Sequence, residues 1–176
     1  MTKLLGISGA LRKASTNTQL LQNAADLFDA DSYTLADLNL PLYDGDLEES
    51  DGIPATVQTL ADQIAAADAV IISTPEYNSA IPGVLKNALD WVSRVDGNPW
   101  AGKPLAIMSA TAGRTGGARA QFDLRLCMTP FRANIVQGPE MMVAGNYDEF
   151  DDAGKLTGDV YIETLTDLMK ALKARL

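Results

Sequence analysis

A cluster of polar side chains, Arg12 with Ser15, Thr16 and Asn17, stands just ahead of an apolar segment with helical periodicity. Hydroxyl, amide and guanidinium groups donate hydrogen bonds to anions, and the unpaired N–H groups of a helix N-terminus favour the same ligands. The cluster therefore indicates a site for a phosphate monoester. Helix capping is the alternative, although the cluster holds more polar groups than one cap needs.

A second polar run follows a short β-branched segment at 69–73, which is typical of a strand buried on both faces. Pro82 begins a helix after it, and in an open α/β sheet ligands bind where such strands end. The candidate residues of this run are Pro75, Glu76, Tyr77, Asn78 and Ser79. Taken singly, Tyr77 also fits a surface aromatic in a turn, and Glu76 a solvated acid.

The third candidate loop, residues 109–117, is rich in glycine and follows a strand expected at 105–108. Its glycines permit close approach of the backbone to a ligand, and Ser109, Thr111 and Gly113 are the candidate contacts. A flexible loop at a helix start is the alternative. Arg114, Arg119 and Arg125 are expected to place positive charge beside this loop. Together the three loops would accept a ligand with a phosphate tail and a flat polar ring.

Strand and helix patterns alternate five times along residues 1–176, without repeats or linkers, which predicts a single α/β domain. Right-handed crossovers make the sheet parallel, with strand order 2-1-3-4-5 in a doubly wound, three-layer α/β/α sandwich. Leu27, Ala65 and Ile162 are expected on the apolar faces of their helices. Strands are expected at 3–8, 33–38, 69–73, 105–108 and within 133–143 (interrupted at Gly138-Pro139), and a polar loop at 39–52.

Composition excludes several classes of function. A net charge of −9 argues against duplex nucleic acid and anionic membranes as partners, and no apolar run reaches the ~18–20 residues of a membrane span. The N-terminus enters a strand pattern at once, which leaves no room for a signal peptide. The absence of histidine excludes a Ser-His-Asp triad and makes a metal site unexpected. The single cysteine, Cys127, cannot form an intramolecular disulfide; it predicts a cytoplasmic protein and a buried, inert thiol.

Three motifs carry a family resemblance. PEYN followed by IPGVLKNALDW, the run GALRKASTN and the segment SATAGRTGGARAQ resemble the signatures of the NADPH-dependent FMN reductases. This flavodoxin-like family includes chromate, quinone and azo-dye reductases. The resemblance extends from Gly9 to Glu140. It departs at Ala10, where the family commonly has serine, so one hydroxyl donor is missing and only the backbone N–H remains there.

The resemblance implies an enzyme in which electrons pass from NADPH or NADH through bound FMN to a small acceptor, by a ping-pong hydride mechanism. The acceptor would be a quinone, an azo compound, chromate or free flavin, and no catalytic side chain is implied. Arg119 and Glu140 would lie at the interface of a homodimer or homotetramer. The alternative is a flavodoxin-type electron carrier without NAD(P)H activity, which the acidic composition also fits. The implied FMN contacts are Ala10, Arg12, Ser15, Thr16, Asn17, Pro75, Glu76, Tyr77, Asn78, Ser79, Ser109, Thr111 and Gly113.

Overall fold

A computed structural model describes all residues, 1–176, as one α/β unit. The chain forms six strands and six α-helices, which alternate except that α2 is followed by α3 and β5 by β6, and a short 3-10 turn at Thr129–Phe131 follows the fifth helix. The strands are β1 (Lys3–Ser8), β2 (Ser32–Leu35), β3 (Ala69–Thr74), β4 (Pro104–Thr111), β5 (Asn134–Ile135) and β6 (Met141–Ala144). The helices are α1 (Thr16–Phe28), α2 (Gly45–Asp51), α3 (Ala55–Ala66), α4 (Gly83–Val92), α5 (Ala118–Met128) and α6 (Asp159–Lys173).

The sheet is parallel throughout and has the order β2-β1-β3-β4-β5, which confirms the predicted topology. The predicted fifth strand is split, as its Gly-Pro dipeptide indicated. β5 pairs with the start of β4, through Leu105 and Ile135, and β6 pairs with its end, through Thr111 and Ala144. β5 and β6 therefore pair with successive parts of β4, on the same side of it. The carboxyl ends of β1, β3, β4 and β6 therefore meet at one edge of the sheet.

Two apolar clusters hold the helices against the sheet, because successive strand side chains point to opposite faces. Val70 and Ile72 belong to the cluster that packs against α3, α4 and α5. Ala69 and Ile71 belong to the cluster that packs against α1 and α6. All six residues of β3 are buried, as expected for a central parallel strand covered on both faces. The result is the predicted three-layer arrangement.

Several local predictions were wrong. The polar loop at 39–52 contains α2, whose N-cap Asp44 accepts a hydrogen bond from the Asp46 N–H; no residue of this helix is buried, so it has no apolar stripe to recognise. β2 is shorter than predicted and ends at Leu35. Leu27 and Ile162 are 41% and 37% exposed, and Ala65 is exposed too, since each lies just outside its helix's buried stripe.

None of the helices has both the length and the apolar character required to span a membrane.

Candidate active site

A cleft of about 320 Å³ lies at the carboxyl edge of the sheet, where the sequence predicts that a ligand binds. Its walls come from residues within 10–17, 75–77, 110–115 and 146–147. Ten of the thirteen predicted contacts line this cleft: Ala10, Arg12, Ser15, Thr16, Asn17, Pro75, Glu76, Tyr77, Thr111 and Gly113. The structure thus brings together the three loops that the sequence singled out.

The first loop, which holds the Arg12 to Asn17 cluster between β1 and α1, presents free hydrogen-bond donors. The backbone N–H groups of residues 11–14 and of Thr16 have no partner, and Arg12 is exposed without an ion pair. Ser15 caps α1 by accepting a hydrogen bond from the Asn17 N–H at 3.2 Å, so for this residue the capping alternative describes the structure. The Thr16 hydroxyl accepts a hydrogen bond from the amide of Asn146. The loop combines five unpaired N–H groups with one free guanidinium.

The side chain of Asn17 points into the protein rather than toward a ligand, contrary to the expectation that its amide would be a donor to an anion. Its Nδ2 donates to the Ala110 carbonyl at 2.9 Å, and its Oδ1 accepts from the Ser73 hydroxyl at 2.8 Å and from the Ala110 N–H at 3.0 Å. Asn17 is only 3% exposed. It therefore ties the start of α1 to the ends of β3 and β4.

The second loop is a tight turn fixed on α5. The N–H of Tyr77 donates to the Ala80 carbonyl and the N–H of Ala80 donates to the Tyr77 carbonyl, at 3.0 and 3.1 Å. Asn78 and Ser79 form the tip with φ of 51° and 67°, and neither lines the cleft. Tyr77 is 56% exposed beside it. The structure thus places Pro75, Glu76 and Tyr77 on the cleft wall and the two tip residues beyond it.

Glu76 is not a solvated acid. Its side chain is only 12% exposed and accepts hydrogen bonds from the N–H groups of Arg119 and Ala120, at 3.0 and 3.3 Å. The Arg119 guanidinium lies 3.3 Å from the same carboxylate. Because Gly117, the N-cap of α5, has no side chain, Glu76 supplies the missing cap. The negative charge on this wall is therefore neutralised from within the chain.

Ser109 lies beneath the third loop and outside the cleft lining. It is fully buried; its hydroxyl donates to the Gly116 carbonyl at 2.6 Å and accepts from the Gln121 amide at 2.8 Å. Gly117 has a φ of 93°, and a Cβ there would stand 2.8 Å from the Ser109 Cβ. The close fit explains why glycine is required at this point of the loop. Thr111 and Gly113 form the exposed part that faces the cleft.

The predicted positive charge beside the third loop is smaller than expected. Arg119 is engaged by Glu76, and it does not pair with Glu140 within the chain. Arg125 lies toward the other end of α5, where burial lowers the pKa of its guanidinium and Glu140 acts in the opposite direction. Arg114 alone is exposed and free of ion pairs. One cation, rather than three, is available beside this loop.

Sequence reasoning missed Asn146 and Tyr147, which follow β6 and complete the cleft wall. Asn146 is 6% exposed and Tyr147 is 71% exposed. No motif marks them, but they directly follow a parallel strand, and that position alone would have placed them at the ligand-binding edge. Asp123 of α5 was missed as well; its carboxylate accepts a hydrogen bond from the Ile81 N–H at 2.9 Å.

Cys127 is partly buried on α5, close to the prediction of an inert thiol. Burial raises the pKa of the thiol, and the Asp123 carboxylate raises it further. It borders a larger groove of about 550 Å³ between α4 and α5, away from the strand ends. Lys86 and Asp90 on that groove pair with each other at 2.7 Å, so it offers no free charge to a ligand.

Comparison with known proteins identifies the family. The sequence profile of the NADPH-dependent FMN reductases matches residues 2–148. The chain is 43% identical over 173 residues to an NAD(P)H-dependent FMN reductase of Pseudomonas aeruginosa, covering 97% of this chain and 93% of that one. It is 41% identical over 145 residues to a quinone reductase of Escherichia coli, covering 80% of this chain and 76% of the relative.

A solved structure agrees with the sequence relatives. The flavoenzyme NAD(P)H:(acceptor) oxidoreductase FerB of Paracoccus denitrificans superimposes with a TM-score of 0.87 at 30% identity, over 99% of this chain and 96% of that one. The protein is therefore an oxidoreductase that uses FMN and a reduced nicotinamide co-substrate, and the electron-carrier alternative is not supported. The chain belongs to the NADPH-dependent FMN reductase family.

Proposed function

We propose that FMN binds in the cleft with its phosphate on the first loop and its ring between the second and third loops. The observation that carries this assignment is the donor set of the first loop: the unpaired backbone N–H groups of Arg12, Ala14 and Thr16, which line the cleft, beside the unpaired Arg12 guanidinium. Such a set suits a phosphate monoester, since each N–H and the guanidinium would gain an anionic acceptor. The one carboxylate on the cleft wall, Glu76, is already neutralised.

The hydrogen bonds in the structure separate the thirteen predicted FMN contacts into two roles. We assign direct contact to groups on the cleft wall, chiefly the Arg12 guanidinium, the unpaired N–H groups of Arg12, Ala14 and Thr16, and the residues Tyr77, Thr111 and Gly113. Asn17, Ser15 and Ser109 hold the loops in place, because their side chains are occupied within the protein. Asn78 and Ser79 would reach a ring only where it extends beyond the cleft.

Bound FMN would supply the redox chemistry, and the chain would supply binding and orientation. No histidine is present in the chain, and no group of three His, Cys, Asp or Glu residues is placed to hold a metal ion. Because the flavin would carry out the hydride chemistry itself, we assign no side chain as a general acid or base. Because NAD(P)H and the acceptor must both reach the same flavin ring, they would occupy the mouth of this cleft in turn, which corresponds to a ping-pong order.

We propose a quinone as the acceptor. The support is the name of the Escherichia coli relative, a quinone reductase 41% identical over 145 residues. The exposed Tyr77 and Tyr147 beside the cleft offer flat apolar surface to a quinone ring. Turnover with a benzoquinone, an azo dye and free FMN, each at matched NADPH concentration, tests this choice. A higher kcat/KM with the azo dye or free flavin would contradict it.

The phosphate assignment is tested by comparing FMN with riboflavin, which lacks the phosphate. Arg12→Ala should weaken FMN binding by about ten- to a hundred-fold and leave riboflavin binding unchanged, because only the phosphate loses a charged partner. Arg132→Ala is the control, since Arg132 is exposed without an ion pair and lies away from the cleft. Undiminished FMN binding by the Arg12 variant would overturn the phosphate site. A wild-type protein that takes up no flavin would overturn the proposed function.

We also propose that the protein forms a homodimer or homotetramer. Phe122 and Leu126 stand one turn apart on α5 and are 63% and 72% exposed, beside the family-like positions Arg119 and Glu140. An exposed apolar pair of this size suits contact with a second copy. Leu126→Glu should lower the mass measured by light scattering, whereas Val160→Glu on the opposite helix layer should not. A monomeric wild type would contradict this proposal.

We propose a cytoplasmic location, on the evidence of the single, partly buried cysteine. Fractionation of cells that produce the protein, with detection of its flavin absorbance in each fraction, tests the location. Recovery from the envelope fraction would contradict it.

A further inference from the structure

Two carboxylates connect the second loop and helix α5 in opposite directions. Glu76 reaches from the loop to the N–H groups that begin α5, and Asp123 reaches from the first turns of α5 to the N–H of Ile81, at 2.9 Å. We call Glu76 and Asp123 the carboxylate clamp. The two contacts bracket the turn, because one precedes Tyr77 and the other follows Ala80. The segment is therefore fixed on α5 at both of its ends.

The bracketed turn adopts a conformation that needs such support. Asn78 and Ser79 both have positive φ, which is uncommon for residues other than glycine and is tolerated by asparagine better than by serine. The turn itself has only the two hydrogen bonds between Tyr77 and Ala80. Its two flanks are anchored by packing as well, since Pro75 is buried and Ile81 belongs to the same apolar cluster as Ala120 and Leu124 of α5. The clamp adds to this packing a hydrogen-bonded attachment to α5 on each side of the turn.

The clamp also fixes the spacing between two walls of the cleft. The third loop ends at Gly117 and leads directly into α5, whose first N–H groups bind Glu76. The second loop is attached to the same helix by Asp123. A ring bound between the two loops would therefore find them already in place. A site that is ordered before binding loses less conformational entropy when the ligand arrives.

We propose that Asp123 is a positioning residue for the flavin ring, acting with Glu76 through the carboxylate clamp although Asp123 lies outside the cleft. This inference rests on the proposed FMN site. It assigns to a residue of α5 that does not line the cleft an influence on the ring-binding part of the cleft. The phosphate-binding first loop makes no contact with Asp123, so phosphate recognition is independent of the clamp.

The experiment uses the full chain, stripped of flavin and titrated with FMN and with riboflavin. Asp123→Ala should raise the Kd of both ligands by about ten-fold, because both contain the flavin ring whose binding loops the variant leaves less ordered. Asp123→Asn keeps an acceptor oxygen for the Ile81 N–H and should restore both Kd values to within about three-fold of the wild type. Asp62→Ala, an exposed aspartate of α3 that accepts from Gln58, is the matched control and should change neither.

Each outcome decides the proposal. A wild-type Kd in the Ala variant, or a loss that the Asn variant does not restore, overturns the clamp. A loss for FMN alone overturns it too, since that pattern belongs to the phosphate site. If the Ala variant fails to fold, Asp123→Glu moves the acceptor and should show the same shared loss. Failure of the wild type to bind FMN would instead reject the proposed function itself.

Discussion

Replacing Asn17 by alanine should destabilise the protein more than any single exposed substitution, although Asn17 lies on the cleft wall. Its side chain makes three buried hydrogen bonds, to Ser73 and to both backbone groups of Ala110. These bonds join α1, β3 and β4 at the carboxyl edge of the sheet. Alanine would leave the Ser73 hydroxyl and the Ala110 backbone groups buried without partners.

The expected loss follows from these contacts. A buried group deprived of its partner costs about 1–3 kcal/mol, and small rearrangements recover part of the total, so we expect a loss of about 3 kcal/mol in the free energy of unfolding. For a chain of this size that corresponds to a fall in Tm of about 6–12 °C. Ser73→Ala removes only one of the three bonds and should cost about 1 kcal/mol.

Thermal and urea unfolding of the flavin-free protein measure these losses. Asn39→Ala is the matched control, since Asn39 is exposed and its side chain makes no hydrogen bond. A Tm for Asn17→Ala within about 1 °C of the wild type would refute the reasoning. Unchanged stability together with lost FMN binding would show that the amide serves the ligand and not the strands.

Three further predictions concern other parts of the molecule. Arg114→Gln should raise KM for NADPH more than for NADH at constant kcat, by about five-fold, because Arg114 is the free cation beside the third loop; equal KM values for wild type and variant would contradict this. Burial raises the pKa of Tyr33 to about 12, so its contribution to stability is complete below pH 10 and is lost as the pH rises through 12; Tyr33→Phe should flatten the fall in Tm over that range, and parallel profiles would count against the shift. Gly116→Ala should cost about 2 kcal/mol, since φ is 60° and a Cβ would stand 2.8 Å from the Met142 carbonyl, whereas Gly113→Ala should stay within about 0.5 kcal/mol; equal urea midpoints would contradict the difference.

The fold was predictable because its signals are local and strong. β3 is an unbroken apolar segment, and the buried positions of α3 recur at helical spacing from Val57 to Ile64. Parallel pairing and handedness rules then leave few topologies. Helix α2 was not predictable in this way, since it buries nothing and depends on its cap and on an exposed ion pair between Glu48 and Arg94 at 3.0 Å.

The cleft was predictable by location but not by the direction of its side chains. Residue types placed Asn17 and Glu76 at the correct edge of the sheet. Whether an amide or carboxylate faces a ligand or the protein depends on partners far along the chain. Asn17 binds Ala110 across 93 residues, and Glu76 binds Arg119 across 43. Local patterns contain no information about such partners, so the Asn17 amide was assigned to a ligand that it does not face, and Glu76 taken singly was interpreted as a solvated acid.

The free cations give the entrance of the cleft a charge opposite to that of the whole molecule. Arg12 lines the cleft, Arg114 lies in the third loop, and neither has a carboxylate partner, in a chain whose net charge is −9. An approaching dinucleotide therefore meets repulsion at long range and attraction only near the mouth. At the ionic strength of a cell the Debye length is about 8 Å, so the distant acidic surface is screened more than the nearby cations. Capture of an anionic co-substrate should therefore become faster, not slower, as salt rises from very low to physiological concentration.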